Sequence, residues 1–430
     1  MSKPKMALMS ILKNIILALQ PFFAVLIYSS ILLGTPPLWL SWLIVLVPLL
    51  VRYKTTGQLG RKTPFDLPIL IFIIGIITGL IVSSNRTISL QAFHTFLASL
   101  FVFYSIVSNY KYKKGYWISL GGVIVICFLS VTIYTFTDGG GRVVEFNRWL
   151  WDLANSQPDL NLRNYLGHNY VLTINWTGSA LAIGLPLLLA LALYKGLIYI
   201  RIVSAVLFLA LFTLHLLNAS AVGWISSIFG LTFVLTFWKP WFFSIILVLI
   251  GIGGYFSSFL WHQTTWFSQL FPVGSLIARI DFWNKTINLL KDHPFSGLGL
   301  GMWFKLFNSQ YNTGVISPHN TYLQLYSDTG LIGFAGLLLG LVIFIKLLRY
   351  VLKTDQKPYW FGALMGFYGG FISAIINGLL EVTTSQTLTQ SGNPSFTYIY
   401  LPYLWVWLGF MVVAYLRLTT NPTVIQIVPQ

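Results

Sequence analysis

The chain has 430 residues, of which 56% are hydrophobic and 8% charged, and its formal net charge is +16. Soluble domains carry about 25% charged residues, so this composition excludes a soluble globular protein. A strongly basic soluble protein would suggest nucleic acid as its partner, but repeated apolar runs of bilayer length indicate membrane lipid instead, and no nucleic-acid partner. The single cysteine, Cys127, excludes an intrachain disulfide and a two-cysteine metal site.

The apolar runs predict an all-α polytopic membrane protein with about twelve transmembrane helices, since backbone groups in lipid must hydrogen-bond within their own segment. Lysines precede the first run and no small-residue cleavage site follows it, so we expect an uncleaved first helix. In chain order the spans are expected at about residues 15–33, 37–51, 67–83, 90–107, 117–135, 178–194, 202–218, 220–237, 241–260, 330–348, 360–380 and 399–416.

Under this topology the basic and acidic residues are distributed unequally between the two sides of the membrane. Of the 26 lysines and arginines, 18 fall on the side of the two termini, whereas eight of the ten acids fall on the other side. Loops rich in Lys and Arg stay in the cytoplasm, so both termini are predicted to be cytoplasmic. We therefore divide the chain into nine spans with an outer loop at about 136–177 (residues 1–260), a large outer loop (261–329), and three spans with a cytoplasmic tail (330–430).

Polar residues that could carry chemistry concentrate at the end of the large outer loop. His319 stands just before an apolar run, so it should lie at a helix start on the outer face, where an imidazole can act as a general base. The alternative is a histidine that only orients the loop. Arg279 starts a helical pattern, and its planar guanidinium matches phosphate oxygens, although an arginine that reaches to the membrane interface is the more common reading.

Between these residues, the glycines Gly297, Gly299 and Gly301 follow the turn pair His293-Pro294. They resemble a phosphate-binding loop only superficially, because the GK[ST] ending and a preceding strand are missing. We expect them to let the backbone pass close to another helix or a ligand. Glu381 ends the eleventh span, and a carboxylate at membrane depth is a functional hypothesis by default. No metal motif is present, so no metal or other cofactor is predicted.

This ordered set of residues resembles the signature of the O-antigen ligase and polymerase superfamily. A weaker likeness extends upstream to Asn175-Trp176-Thr177-Gly178 and to Ser220-Ala221-Val222-Gly223-Trp224. The resemblance implies a GT-C-like glycosyltransferase of the bacterial inner membrane, with its active site and large loop on the periplasmic side. The residues that carry the signature are Arg279, Trp283, His293-Pro294, Gly297, Gly299, Gly301, His319-Asn320, Tyr322-Leu323-Gln324 and Gly330-Leu331-Ile332-Gly333.

The resemblance also implies the reaction. A glycan would pass, with inversion and without metal, from undecaprenyl pyrophosphate to an acceptor hydroxyl. The acceptor is the lipid A core in a ligase, a carrier-linked repeat in an O-antigen or exopolysaccharide polymerase, and a protein in a protein O-oligosaccharyltransferase. The ligase is preferred because the large loop closes on one histidine motif. By the same resemblance Arg279 would contact pyrophosphate and His319 would orient or deprotonate the acceptor. Substrate-binding roles are implied for Asn320, Trp283, His293, Gly299, Asn175 and Tyr322.

One position departs from the family pattern. Where the family usually has a second arginine, this chain has Ala221. Either another cation serves, such as Arg142, Arg148 or Arg163 of the first outer loop, or the alanine is a substitution. A small-solute transporter is the alternative from a different class, but the charged residues lie at helix ends and in loops rather than at mid-membrane, which favours an enzyme.

Overall fold

The computed structural model describes residues 60–109, 162–194, 197–217, 220–242, 273–313, 317–353, 361–381 and 402–420, with 49–54, 56–58 and residues 15, 46 and 315. Every regular element in these ranges is a helix. Four of the helices are long and apolar enough to cross a membrane. The chain is therefore an all-α membrane protein. The predicted spans at 15–33, 37–51, 117–135 and 241–260 lie wholly or mostly outside the described residues, so the count of twelve and the GT-C-like arrangement stay predictions.

Ten helices, numbered here in chain order, make up the described part of the chain. They are α1 (Asp66–Val82), α2 (Arg86–Ser108), α3 (Leu162–Leu193), α4 (Ile198–Leu217), α5 (Ala221–Trp238), α6 (Val273–Leu290), α7 (Trp303–Tyr311), α8 (Thr321–Lys353), α9 (Phe361–Leu380) and α10 (Pro402–Thr420). The bounds of α1, α2, α4, α5, α9 and α10 agree with the predicted spans to within a few residues. This agreement follows from the apolar length that a bilayer requires.

Three helices begin earlier than the sequence pattern predicts. Helix α3 starts at Leu162, so residues 162–177, which were expected in the first outer loop, are helical; its apolar portion begins at Gly178. Helix α6 starts at Val273 rather than at Arg279. Helix α8 starts at Thr321, ahead of the predicted span at 330–348, and its helical geometry is interrupted by a kink at Gly330, where that span begins. Hydropathy detects the apolar part of a helix, and α3 and α8 continue beyond it into polar sequence.

Side-chain caps explain where three of the helices begin. Asn85 Oδ1 accepts a hydrogen bond from the N–H of Ile88 at 3.3 Å before α2, and Ser220 Oγ accepts from the N–H of Gly223 at 3.1 Å before α5. Asn320 caps α8 in the same way. Each cap satisfies a backbone donor that has no partner within its helix.

The helices pack closely through small residues. Helix α1 lies along α8, where a Cβ on Gly75 would collide with the backbone of Gly333. Helix α3 packs against α4, α5 and α9, and a Cβ on Gly223 would lie 2.7 Å from the carbonyl carbon of Gly178. Such close approach is typical of helix pairs in membranes, where packing rather than water exclusion drives association. The N-terminal end of α8 and the C-terminal end of α9 thereby meet, with α6 beside them.

Candidate active site

The segment just before α8 holds His319 in an unusual backbone conformation. His319 has φ +49°, in the left-handed region that residues other than glycine seldom adopt. The next residue, Asn320, fixes this turn on both sides. Its Oδ1 accepts from the N–H of Leu323 at 3.0 Å, and its Nδ2 donates to the carbonyl of Leu379 at 3.1 Å. The start of α8 is therefore tied to the end of α9, and the imidazole is held at this junction.

A single carboxylate joins three distant parts of the chain at this junction. Glu381 Oε1 lies 2.8 Å from Nδ1 of His319, and Glu381 Oε2 lies 3.3 Å from Nη2 of Arg279. The glutamate is also held by its backbone, because Thr321 Oγ1 donates to its carbonyl at 2.9 Å. The Glu381 side chain is 5% exposed, while those of Arg279 and His319 are 12% and 21% exposed. The three groups thus form a cluster that is mostly buried but still accessible at the imidazole.

The geometry assigns different tasks to the two imidazole nitrogens. An ionised carboxylate only accepts hydrogen bonds, so with Glu381 ionised Nδ1 carries the hydrogen that it donates to Oε1. Nε2 of a neutral imidazole then has the free lone pair and could take a proton from a bound hydroxyl. The carboxylate would orient the ring and stabilise an imidazolium after such a transfer, as in other histidine-based sites.

Helix α6 closes the cluster from the side. Trp283 Nε1 donates to the carbonyl of Pro318 at 2.8 Å, directly before the histidine. The ring of Phe282 lies roughly parallel to the imidazole, with ring centroids 6.4 Å apart. Because Arg279 is one turn earlier on the same helix, these contacts place its guanidinium beside the glutamate.

The structure brings together Arg279, Trp283, His319 and Asn320 of the residues predicted from the sequence. Tyr322 lies one residue into α8, where its hydroxyl donates to the carbonyl of Ile375 at 2.9 Å. Its phenol therefore ties α8 to α9. A contact of these residues with substrate stays a prediction.

Three other predicted site residues belong to the segment after α6, to α5 and to α3. His293 is exposed beyond the C-terminal end of α6, and Leu290 at that end is eleven residues from Arg279, or about 16 Å along a helix axis. Ala221 is the half-buried first residue of α5. Asn175 lies within α3, of which only the backbone is described there. Substrate contacts for these residues stay predictions as well.

The glycines after His293 form a tight loop, which we call the glycine loop (residues 297–301), against α1 and α8. The N–H of Leu298 donates to the carbonyl of Ser327 at 2.6 Å, and the N–H of Gly301 donates to Asp328 Oδ1 at 3.0 Å. A Cβ on Gly299, whose φ is +104°, would lie 2.9 Å from Cα of Ser83. The expectation that these glycines allow close passage of a helix is confirmed.

Sequence reasoning noted Glu381 as a carboxylate at the end of a span but did not connect it to His319. It missed Asp328, which is buried in α8 and accepts from both Gly301 and Gln324 Nε2, the latter at 3.0 Å. The available signal was an acid directly before the apolar run that starts at Gly330. Among the described residues no group of three or more His, Cys, Asp or Glu side chains could hold a metal ion.

The comparison with protein families bears on this site directly. Residues 205–338 match the family model described as O-antigen ligase. This part of the chain is therefore similar to the O-antigen ligase family. The match runs from α4 into α8, so it includes Arg279, His319 and the alanine at position 221, whereas Glu381 lies beyond it. No curated protein matches the chain significantly. The family match supports an enzyme of the ligase or polymerase type that acts on lipid-linked glycans.

Proposed function

We propose that this protein transfers a glycan from undecaprenyl pyrophosphate to an acceptor hydroxyl, with Arg279, His319 and Glu381 as its reaction centre. The observation that carries the proposal is the carboxylate of Glu381, which contacts His319 at 2.8 Å and Arg279 at 3.3 Å. An imidazole that could act as a base and a guanidinium that could bind phosphate are thus linked through one carboxylate. These are the two groups that transfer from a pyrophosphate donor requires.

His319 would act on the acceptor. Its Nε2 takes the hydroxyl proton while the acceptor oxygen attacks the anomeric carbon of the donor sugar. The bond between that carbon and the pyrophosphate oxygen breaks, and the pyrophosphate leaves with the electron pair. Attack from the opposite face inverts the anomeric centre. Glu381 keeps Nε2 directed at the substrate and balances the positive charge that the imidazole acquires.

Arg279 would act on the leaving group. One of its N–H groups contacts Glu381, and a guanidinium has five N–H donors in a fixed fork. The others would contact the pyrophosphate as negative charge develops on it. Because most of the arginine side chain is withdrawn from water, this charge interaction is stronger than at an exposed site.

The sidedness of the site and the acceptor belong to the same proposal. The sorting of lysines and arginines supports a periplasmic reaction centre in an inner membrane with both termini in the cytoplasm. The lipid A core is the acceptor we favour. Gene deletion tests this choice, because loss of a ligase leaves carrier-linked polymer unattached, while loss of a polymerase leaves single repeats on the core.

Transfer by the purified protein tests the function itself. Given undecaprenyl-pyrophosphate-linked glycan and the lipid A core, the parental protein should form the linked product, and His319→Ala should reduce turnover at least about 100-fold. Asp281→Asn is the matched control, because this acid of α6 forms an exposed ion pair with Lys285 and has no predicted role at the site. Solute counterflow in proteoliposomes that survives both His319→Ala and Arg279→Ala, without any transfer by the parental protein, would favour a transporter.

A further inference from the structure

An apolar groove lies between α1, α8, α9 and α10. It encloses about 140 Å³, and its walls include Pro68, Phe72, Gly340, Phe371 and Leu408. Among the described residues that line it there is no Asp, Glu, Lys, Arg or His. The groove therefore suits a hydrocarbon chain, and neither a sugar nor an anion would find hydrogen-bond partners along these walls.

One end of this groove is part of the candidate active site. Thr321 and Tyr322 line it, and the Thr321 hydroxyl donates to the backbone carbonyl of Glu381. The Tyr322 hydroxyl likewise donates a hydrogen bond to the backbone carbonyl of Ile375 in α9. Both residues consequently present their apolar atoms to the groove. The end of a hydrocarbon chain in the groove would lie next to Thr321, which is two residues after His319 in the sequence.

We propose that this groove holds the hydrocarbon chain of the lipid-linked glycan donor and thereby positions the phosphate beside Arg279. This inference rests on the proposed function. In such a donor only the pyrophosphate separates the chain from the anomeric carbon, so chain and reacting bond must lie close together. In a lipid-anchored acceptor, sugars separate the reacting hydroxyl from the acyl chains. The short distance between groove and cluster therefore fits the donor.

The groove would contribute position more than affinity. A chain that moves from the bilayer into the groove exchanges one apolar environment for another, so little hydrophobic free energy is gained. What the walls provide is a fixed direction for the chain, and hence a fixed place for the pyrophosphate at its end. Holding the reacting atoms in place in this way can lower the barrier considerably.

Gly340 offers a way to fill the groove without disturbing the helices. A Cβ at Gly340 would meet only the Cβ of Pro68, at 3.8 Å, which is an ordinary contact. A leucine there would extend into the groove. The neighbouring Gly336 is unsuitable, because its Cβ would lie 2.7 Å from the backbone nitrogen of Phe72. Leu338→Phe is the matched control, since this exposed residue of the same helix does not line the groove.

The first test compares two donors, one with the full undecaprenyl chain and one whose chain is cut to two isoprene units, so that it should end before Gly340. Gly340→Leu should lower kcat/KM for the long-chain donor at least about fivefold and leave the short-chain donor within about twofold, and Leu338→Phe should change neither. Parental rates of Gly340→Leu on the long chain would overturn the proposal. Equal losses on both donors would overturn it too, because they would indicate a structural effect.

Photolabelling tests the groove in the parental protein, independently of any variant. A donor with a photoreactive group in its chain should label α1, α8 or α10 at groove residues, and should do so equally in His319→Ala, which binds the donor without transferring it. If the parental protein transferred the glycan but was labelled outside the groove, the groove proposal would be wrong and the proposed function would stand. Labelling of the groove by an acyl-modified acceptor, or by a photoreactive phospholipid at equal strength, would also overturn it. Groove labelling without any transfer would support the groove and count against the proposed function.

Discussion

The two ends of helix α6 show how differently one sequence motif can be used. Towards its N-terminal end Arg279 contacts Glu381, and the bonds are made by charged side chains that remain partly accessible. Beyond its C-terminal end the glycine loop packs on α8 with backbone groups and the fully buried Asp328. The first region is built for charge and proton transfer, and the second for close packing. Replacing a residue of the first region should therefore lower activity, whereas replacing a residue of the second region should lower stability.

The largest expected effect is on the first region. Glu381→Gln should lower kcat about 100-fold with little change in thermal stability, because the amide cannot stabilise a charged imidazole. Transfer assays on the purified protein measure it, together with the melting temperature in detergent. Asp281→Asn is the control, since this acid of α6 forms an exposed ion pair with Lys285 at 2.6 Å, and such pairs contribute little. A parental kcat for Glu381→Gln would remove the glutamate from the reaction centre.

Gly330→Ala should produce the opposite pattern. Gly330 has φ +63°, and an added Cβ would collide with the carbonyl of Phe295. Overpacking and the left-handed conformation together should cost about 3 kcal/mol of unfolding free energy. Thermal unfolding in detergent measures this loss. Gly57→Ala is the control for the backbone cost alone, because Gly57 has φ +69° and nothing within 4 Å of its Cβ position. The difference between the two losses is then the cost of the close contact. Equal losses in the two variants would mean that the close contact contributes nothing.

Asp328→Ala should destabilise the second region by about 2 kcal/mol, because the buried N–H of Gly301 and the side chain of Gln324 each lose their acceptor. Asp328→Asn keeps an oxygen acceptor and should cost less. Unfolding free energies of the two variants test this order. If both variants lost most of their kcat while their unfolding free energy stayed near the parental value, Asp328 would take part in the reaction. The contrast between the two regions would then weaken.

The smallest effect is expected at position 221, where this chain has Ala221 at the first residue of α5. If the alanine replaces an arginine, Ala221→Arg should raise turnover at least about tenfold, or ~1.4 kcal/mol of barrier. If another cation serves, that variant should change little, and alanine at Arg142, Arg148 or Arg163 should reduce donor use instead. Turnover at limiting donor concentration distinguishes the two cases. No response in any of these variants would contradict the proposed pairing of arginines on pyrophosphate.

The sequence by itself determined the membrane class, six of the spans and the likeness to the O-antigen ligase family. A bilayer imposes an apolar length that can be read locally, and the motif between Arg279 and Gly333 keeps a recognisable order. It also predicted that the glycines allow close approach, since only residues without a side chain fit there.

What the sequence could not decide is which side chains meet. Glu381 is 62 residues from His319 and 102 from Arg279, and no local pattern links them. Their contact depends on how α6, α8 and α9 pack, which small residues and capping bonds along the whole chain decide together. For the same reason the polar start of α3 and the groove beside Thr321 were not predicted. Hydropathy records which residues avoid water, whereas tertiary packing decides which of the remaining ones share a site.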